Sequence, residues 1–212
     1  MSGPAEHRRE FAAALAALPV ELAEAARVAA DAIGEATAAV LTNPAHARVV
    51  HRHVAHARRA SQELDDRIVT LMALQSPVAG DLRLAVVGLR ISAALERMTE
   101  LAGHVAESGE RRDGHVVPPQ WQMQISELGM LCAGLATGLK DALLEGDSTA
   151  ARNLEHADEQ IDGVHRRLMA AVTAPSWEYG TQAGIDVALL SRFYERFADQ
   201  AVTAARQLST VH

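Results

Sequence analysis

The segment YERFADQAVTAA (residues 194–205) has the apolar spacing of a buried helix but also carries two acids one turn apart. Six apolar residues recur here and just upstream at alternating spacings of three and four: Val187, Leu190, Tyr194, Phe197, Ala201 and Ala204. At about 100° per residue they form one stripe, and Glu195 and Asp199 point roughly opposite to it. The spacing predicts an amphipathic helix with both acids on its outer face.

A related segment, LERMTELAGHVA (residues 95–106), occurs in the first half of the chain. Both segments contain Glu-Arg followed by an acid three positions after the arginine, and Glu96 and Glu100 again lie roughly opposite an apolar stripe. The stripe in this helix consists of Leu84, Val87, Ile91, Ala94, Met98 and Val105. The shared pattern indicates an internal repeat.

Turn-forming residues divide the chain into six predicted helices, and no strand-like alternation competes with them. The predicted bounds are about 10–41, 46–74, 77–108, 121–144, 149–172 and 185–208. Ser76 and Pro77 suit the cap and the first turn of the third helix. The stretch GERRDGHVVPP (residues 109–119) is rich in helix-breaking residues and separates the halves. The sequence therefore predicts an all-α fold with three helices in each half.

The fifth helix carries a second pair of acids. In HADEQIDGVHRRL (residues 156–168), Asp158 and Asp162 lie one turn apart on a flank of an apolar stripe. Counting back from Pro77 places Asp65 of the first half at the position of Asp162, and Ser61 at that of Asp158. The stripe of the fifth helix consists of Leu154, Ile161 and Leu168.

Two adjacent antiparallel helices would place Asp158, Asp162, Glu195 and Asp199 around one surface groove. Four carboxylates so close together repel one another unless protons, arginines or a cation intervene. Ligand sets made only of oxygen suit hard cations such as magnesium, manganese, calcium or ferric iron.

Composition and charge exclude several classes of protein. Hydrophobic residues make up 49% of the chain but aromatic residues only 3%, which favours helices packed through small side chains. The formal charge of −7, without a basic cluster, gives no electrostatic basis for binding nucleic acid. No segment has the apolar core of a signal peptide or the roughly 18 apolar residues of a membrane span. The single cysteine, Cys132, lies among small apolar residues, so we expect a cytoplasmic protein with an inert buried thiol.

Three segments, LQSPVAGDLR (residues 74–83), LERMTELAGHVA and YERFADQAV, resemble the signature segments of the PhoU family. The resemblance covers nearly the whole chain, and the alanine-rich composition looks most like the actinobacterial branch. It implies two similar three-helix bundles packed side by side, here in residues 1–110 and 111–212.

Some members of this family bind multinuclear iron or zinc clusters on their acidic faces, through repeats of an acid, three residues and an acid. By this resemblance, Asp158, Asp162, Glu195 and Asp199 match a complete site in the second half. Magnesium or manganese would also suit these ligands.

The first half departs from the family pattern. Ser61 replaces one expected acid, and Thr99-Glu100 stands where the family usually has Gly-Asp. The remaining candidate metal ligands are Asp65, Glu96 and Glu100. We expect this first site to bind a metal more weakly or to stay empty.

The resemblance also implies a role. PhoU-like proteins are cytoplasmic negative regulators that couple a phosphate ABC transporter to a membrane sensor histidine kinase. When phosphate is plentiful, they hold the kinase in its non-activating state and restrain uptake. No catalytic step is implied, and contact with the membrane is expected only through these partners. A stripe of alanines packs against a second subunit as readily as within the chain, so the sequence leaves the oligomeric state open. A homodimer is the expected assembly.

Two other interpretations compete with this one. A di-iron oxidase would need Glu-x-x-His pairs, and no glutamate in the chain is followed three residues later by a histidine. A structural helical adaptor, whose acidic faces are only solvated surface, is the stronger alternative. Metal analysis of the purified protein would separate the adaptor from the metal-binding regulator.

The histidine-rich stretch HARVVHRHVAH (residues 46–56) invites a zinc assignment, because His53 and His56 are spaced to share a helix face. Arginines interleave these histidines, however, and short motifs of this kind often match by chance. Solvated histidines on an exposed helix are therefore the favoured interpretation.

Overall fold

The computed structural model describes residues 4–74, 79–111, 116–147 and 149–210, and within these ranges it contains six α-helices and no strand. They are α1 (Pro4–Leu41), α2 (Ala47–Leu74), α3 (Ala79–Arg111), α4 (Gln122–Glu145), α5 (Ala150–Val172) and α6 (Gly180–Leu208). Short 3₁₀ turns at Pro44–His46 and Pro119–Trp121 precede α2 and α4. The all-α prediction is confirmed.

The predicted helix bounds are close to the observed ones except at two starts. α1 begins at Pro4 rather than near residue 10, and Pro19 lies inside it without ending it. α6 begins at Gly180, before the predicted start at residue 185. The predicted Ser76–Pro77 cap and the central turn at residues 112–115 lie outside the described residues.

The six helices form two three-helix bundles packed side by side, as predicted. α1, α2 and α3 all contact one another, and so do α4, α5 and α6. The bundles meet where α1 packs on α4 and α3 packs on α6, whereas α2 and α5 contact only their own bundle among the described residues. The bundle boundary at residue 110 stays a prediction, as does the superposition of the two halves.

The predicted apolar stripes form the core, with one exception. All six stripe residues of α6 are buried, and so are Leu154, Ile161 and Leu168 of α5. In α3 the stripe is buried from Val87 onward, but Leu84 is 39% exposed, so its predicted burial is wrong. Leu84 lies in the first turns of α3, where it borders a cleft with Leu15, Pro19 and Leu208.

α1 is packed closely enough against its neighbours that glycine is required at the contacts. A Cβ added to Gly109 of α3 would lie 2.5 Å from the carbonyl oxygen of Ala39. A Cβ added to Gly129 of α4 would collide with the side chain of Thr37. Small residues therefore allow the backbones of α3 and α4 to approach α1.

A buried polar contact joins α1, α4 and α6. The hydroxyls of Thr37 and Tyr194 lie 2.9 Å apart, and the thiol of Cys132 donates to the Tyr194 carbonyl oxygen at 3.4 Å. Burial raises the pKa of the Cys132 thiol well above its ordinary value. The prediction that this cysteine is buried is confirmed, and its inertness stays a prediction.

None of the helices, over the residues that the structure describes, has the length and apolar character needed to cross a membrane.

The glycine at the α1–α3 contact can be tested directly. We expect Gly109→Ala to lower the stability by about 1–3 kcal/mol, because its methyl group would press on the Ala39 carbonyl. Gly34→Ala is the matched control: this position in α1 has open space around it, and alanine should stabilise the helix by about 0.5–1 kcal/mol. Urea denaturation measures both, and equal stability of the two variants would contradict the close contact.

Candidate functional site

The structure brings the four acids of the second half together where α5 packs against α6. We call Asp158 and Asp162 of α5 with Glu195 and Asp199 of α6 the second-half acidic groove. The pKa of Asp158 is raised to about 6, first by burial and then by the charges of Asp162, Asp199 and Glu195. The four carboxylates therefore act on one another within one small region.

The helical pattern predicted that Glu195 lies on the outer, solvent-facing side of α6, but the structure does not place it in solvent. Its side chain is only 14% exposed, because α5 lies alongside this position of α6. Burial, followed by the charge of Asp199, raises the pKa of Glu195. Arg192 donates to its Oε1 at 2.6 Å and offsets part of this effect. Asp199, by contrast, is exposed as predicted.

Two carboxylate oxygens of the groove are buried without a hydrogen-bond partner among the described residues: Oδ1 of Asp158 and Oε2 of Glu195. An unsatisfied buried acceptor costs about 1–3 kcal/mol, and more when it is charged. Water or a cation is the usual partner of such atoms. The groove thus has the donor chemistry for a cation with oxygen ligands, although no three acids or histidines in the described ranges already surround one position.

Sequence reasoning missed the residues that border this groove. Nδ1 of His165 lies 3.0 Å from Oγ of Ser191, and burial followed by the charge of Arg192 lowers the pKa of His165. Arg206 donates to Glu155 at 2.8 Å. The spacing of Arg192 three residues before Glu195 was the available signal, since residues three apart on a helix are neighbours.

The acids of the first half have arginine partners instead. Nη2 of Arg58 lies 3.0 Å from Glu100 and its Nε lies 3.7 Å from Glu96. Arg97 donates to Glu100 at 2.9 Å, and this bond, together with that from Arg58, lowers the pKa of Glu100. Asp65 is exposed on α2 and forms no ion pair within the described part of the chain.

Ser61 and Ser92 lie beside this arginine-paired face. Both are buried, and the Ser92 hydroxyl donates to Ser61 at 3.2 Å. They border a cleft of about 430 Å³ between α1, α2 and α3, together with Leu22, Leu64 and Glu96. The carboxylate of Asp158 in the second half is thus replaced here by a neutral, hydrogen-bonded hydroxyl.

The histidines of the α2 region form separate contacts. Nδ1 of His46 lies 2.6 Å from Glu35, and Nε2 of His51 lies 3.1 Å from Glu110. His53 and His56 belong to no metal-binding group in the described residues. These contacts favour surface histidines over a zinc site.

The loss of stability caused by the clustered carboxylates of the groove should depend on pH. The folded state holds a proton on Asp158 more readily than the unfolded chain, so the contribution of Asp158 to stability should fall as pH rises from about 4 to about 6. In a chelator, Asp158→Asn should therefore raise the melting temperature at pH 7.5, and this gain should shrink towards pH 4.

Glu159→Gln serves as the control, because it removes one exposed charge from the same helix outside the groove. Thermal denaturation followed by circular dichroism at both pH values measures the difference. A loss of stability for Asp158→Asn at pH 7.5, or a gain equal to that of Glu159→Gln, would count against a strained groove.

The comparisons with known proteins agree with this architecture. The PhoU domain family matches residues 22–109 and again residues 125–208. The chain is 36% identical over 197 residues to the phosphate-specific transport system accessory protein PhoU homolog 1 of Mycobacterium leprae, covering 92% of this chain and 88% of the relative. It is 38% identical over 149 residues to PhoU homolog 2 of Mycobacterium tuberculosis, covering 70% of each chain.

Two solved structures share the fold at 18% sequence identity. The phosphate transport system regulatory protein PhoU of Streptococcus pneumoniae has a TM-score of 0.83, over 95% of this chain and 96% of that one. PhoU of Pseudomonas aeruginosa has a TM-score of 0.77, over 97% and 96%. With a family match in each half and relatives above 30% identity, the chain belongs to the PhoU family.

Proposed function

We propose that this protein is a regulator of phosphate uptake and of the phosphate-starvation response, and not an enzyme. The observation that carries the proposal is the family match in both halves, together with relatives named as accessory proteins of the phosphate-specific transport system. In this role it works in the cytoplasm, as a homodimer, and reaches the membrane only through its partners.

The proposed action is to couple a phosphate ABC transporter to a sensor histidine kinase. When phosphate is plentiful, the protein holds the kinase in its non-activating state and restrains uptake. The outer helices α2 and α5 support this proposal, because among the described residues each contacts only its own bundle and has an outer face with exposed acids, such as Asp65 on α2 and Glu159 on α5. Such faces can fix the register of a partner through charge complementarity.

The second-half acidic groove is the proposed metal centre. Asp158, Asp162, Glu195 and Asp199 would hold one or more cations, with iron or zinc expected from the family and magnesium or manganese also compatible with oxygen ligands. A bound cation would supply the positive charge that offsets these carboxylates. The unpartnered oxygens of Asp158 and Glu195 support this assignment. Asp65, Glu96 and Glu100 form a weaker candidate, because Arg58 already pairs with two of them.

The alternative is a structural adaptor whose acids are only solvated surface. The exposure of Asp199 favours it, but the burial of Glu195 and of Oδ1 of Asp158 opposes it. Solvated charges would keep both oxygens in water.

A gene deletion tests the regulatory role. In a strain that lacks any other PhoU family gene, deletion should switch on phosphate-starvation genes in phosphate-rich medium, because the kinase loses its restraint. Transcript levels measure this, and complementation with the intact gene should restore repression. Unchanged transcript levels in the deleted strain would overturn the regulator proposal.

Metal binding is tested with a variant that preserves side-chain shape. Since Glu195 is mostly buried, Glu195→Gln with Asp199→Asn is preferable to alanine. After loading with ferric iron, zinc or manganese, this double variant should fold but lose bound metal and the metal-dependent rise in melting temperature.

Elemental analysis by mass spectrometry and thermal denaturation provide the two measurements. Glu145→Gln with Glu159→Gln removes the same charge from exposed positions outside the groove and should behave like the parent. Equal metal content and equal stabilisation in both double variants would support the solvated-surface alternative.

A further inference from the structure

The two halves can be compared position by position through the internal repeat. The shared Glu-Arg motif aligns α3 with α6, and the count back from Pro77 aligns α2 with α5. The aligned pairs around the acidic faces are Arg58 and Glu155, Ser61 and Asp158, Ser92 and Ser191, Glu96 and Glu195, and Glu100 and Asp199. By this alignment the acids on α3 and α6 correspond to one another, whereas their aligned partners on α2 and α5 differ in charge.

Arg58 extends from α2 to both acids of α3. Its guanidinium lies 3.0 Å from Glu100 and 3.7 Å from Glu96. Together with Arg97, which donates to Glu100 at 2.9 Å, it offsets the charges of the two groups that would bind a cation.

In the second half, Glu155 takes the position of Arg58 and itself accepts a hydrogen bond from Arg206. Arg192 of α6 donates to Oε1 of Glu195 at 2.6 Å, but no arginine of α5 pairs with this acid among the described residues. Oε2 of Glu195 is then left without a partner in the described chain.

Ser61 is a second reason why the first half is less suited to a metal, because it supplies no carboxylate ligand. Its hydroxyl accepts a hydrogen bond from Ser92 and carries no negative charge, whereas Asp158 offers an unpartnered carboxylate oxygen. The first half thus has a fixed cation on its acids and lacks one of the ligands.

We infer that Arg58 takes the place of the metal in the first half, so that only the second half can bind and respond to a cation. This inference rests on the proposed metal centre of the second half. Arginines stay protonated at any physiological pH, so Arg58 and Arg97 offset the charges of Glu96 and Glu100 at all times. The second-half face changes its charge with metal supply. The protein therefore presents one constant and one metal-dependent face to its partners.

Grafting the second-half residues into the first half tests the inference. Arg58→Glu with Ser61→Asp copies Glu155 and Asp158, and the cleft beside Ser61 provides room for the larger side chain. The graft is made in the Glu195→Gln/Asp199→Asn background, where the second-half groove is disabled. Metal content after loading with manganese or zinc should return towards the parental value, with folding checked by circular dichroism.

Arg58→Ala with Ser61→Ala in the same background is the control and should recover less metal, because it removes the arginine without supplying carboxylates. In the parent, Glu96→Gln with Glu100→Gln should leave metal content unchanged. A loss of metal from that variant, or a folded graft that binds none, overturns the inference.

A metal-free measurement separates this inference from the proposed metal centre. In a chelator at low salt, Arg58→Ala should lower the melting temperature in the parent but much less in the Glu96→Gln/Glu100→Gln background, because its partners there are uncharged. An equal loss in both backgrounds shows that Arg58 does not offset these acids. If the parent binds no metal but this coupling is found, the metal proposal fails while the pairing role of Arg58 stands.

Discussion

The close approach of α1 to α3 and α4 is the constraint on which the rest of the structure depends. Gly109 lies against the Ala39 backbone and Gly129 against the Thr37 side chain, so a side chain at either glycine would collide with α1. Tyr194 joins α6 to the same region through the Thr37 hydroxyl. α1, α3, α4 and α6 pack in the centre, and α2 and α5 lie on the outside of their own bundles. We call the contact of α2 with α3 and that of α5 with α6 the two outer seams. Both acidic faces lie along these seams.

The same scaffold therefore carries two different electrostatic arrangements. Along the seam of α2 and α3, arginines from both helices pair with the acids. Along that of α5 and α6, the four acids act on one another, and Arg192 of α6 pairs with Glu195. The position of Arg58, which is occupied by Glu155 in the other half, contributes to this difference, and so does Ser61 at the position of Asp158. Under the proposed function, a duplicated fold need not have duplicated functions: one face would be a constant contact surface, and the other would respond to cations.

Much of the fold could be predicted from the sequence, because the apolar period of a helix depends on neighbouring residues alone. The stripes of α5 and α6 and most of that of α3 are buried as predicted, and all four second-half acids lie at one seam. Periodicity gives the direction of a side chain around its own helix, but not what a neighbouring helix covers. The burial of Glu195 was missed for this reason, and so was the reach of Arg58 to two glutamates on another helix.

The central claim is that the halves differ in their ability to hold a cation, and anomalous diffraction tests it most directly. Crystals of the protein grown with manganese or zinc would be measured at the absorption edge of the metal. The account predicts anomalous density between α5 and α6, beside Asp158 and Glu195, and none beside Glu96 and Glu100, with Arg58 still in contact with both glutamates. Density of equal strength at both seams, with Arg58 turned away from its acids, would contradict it.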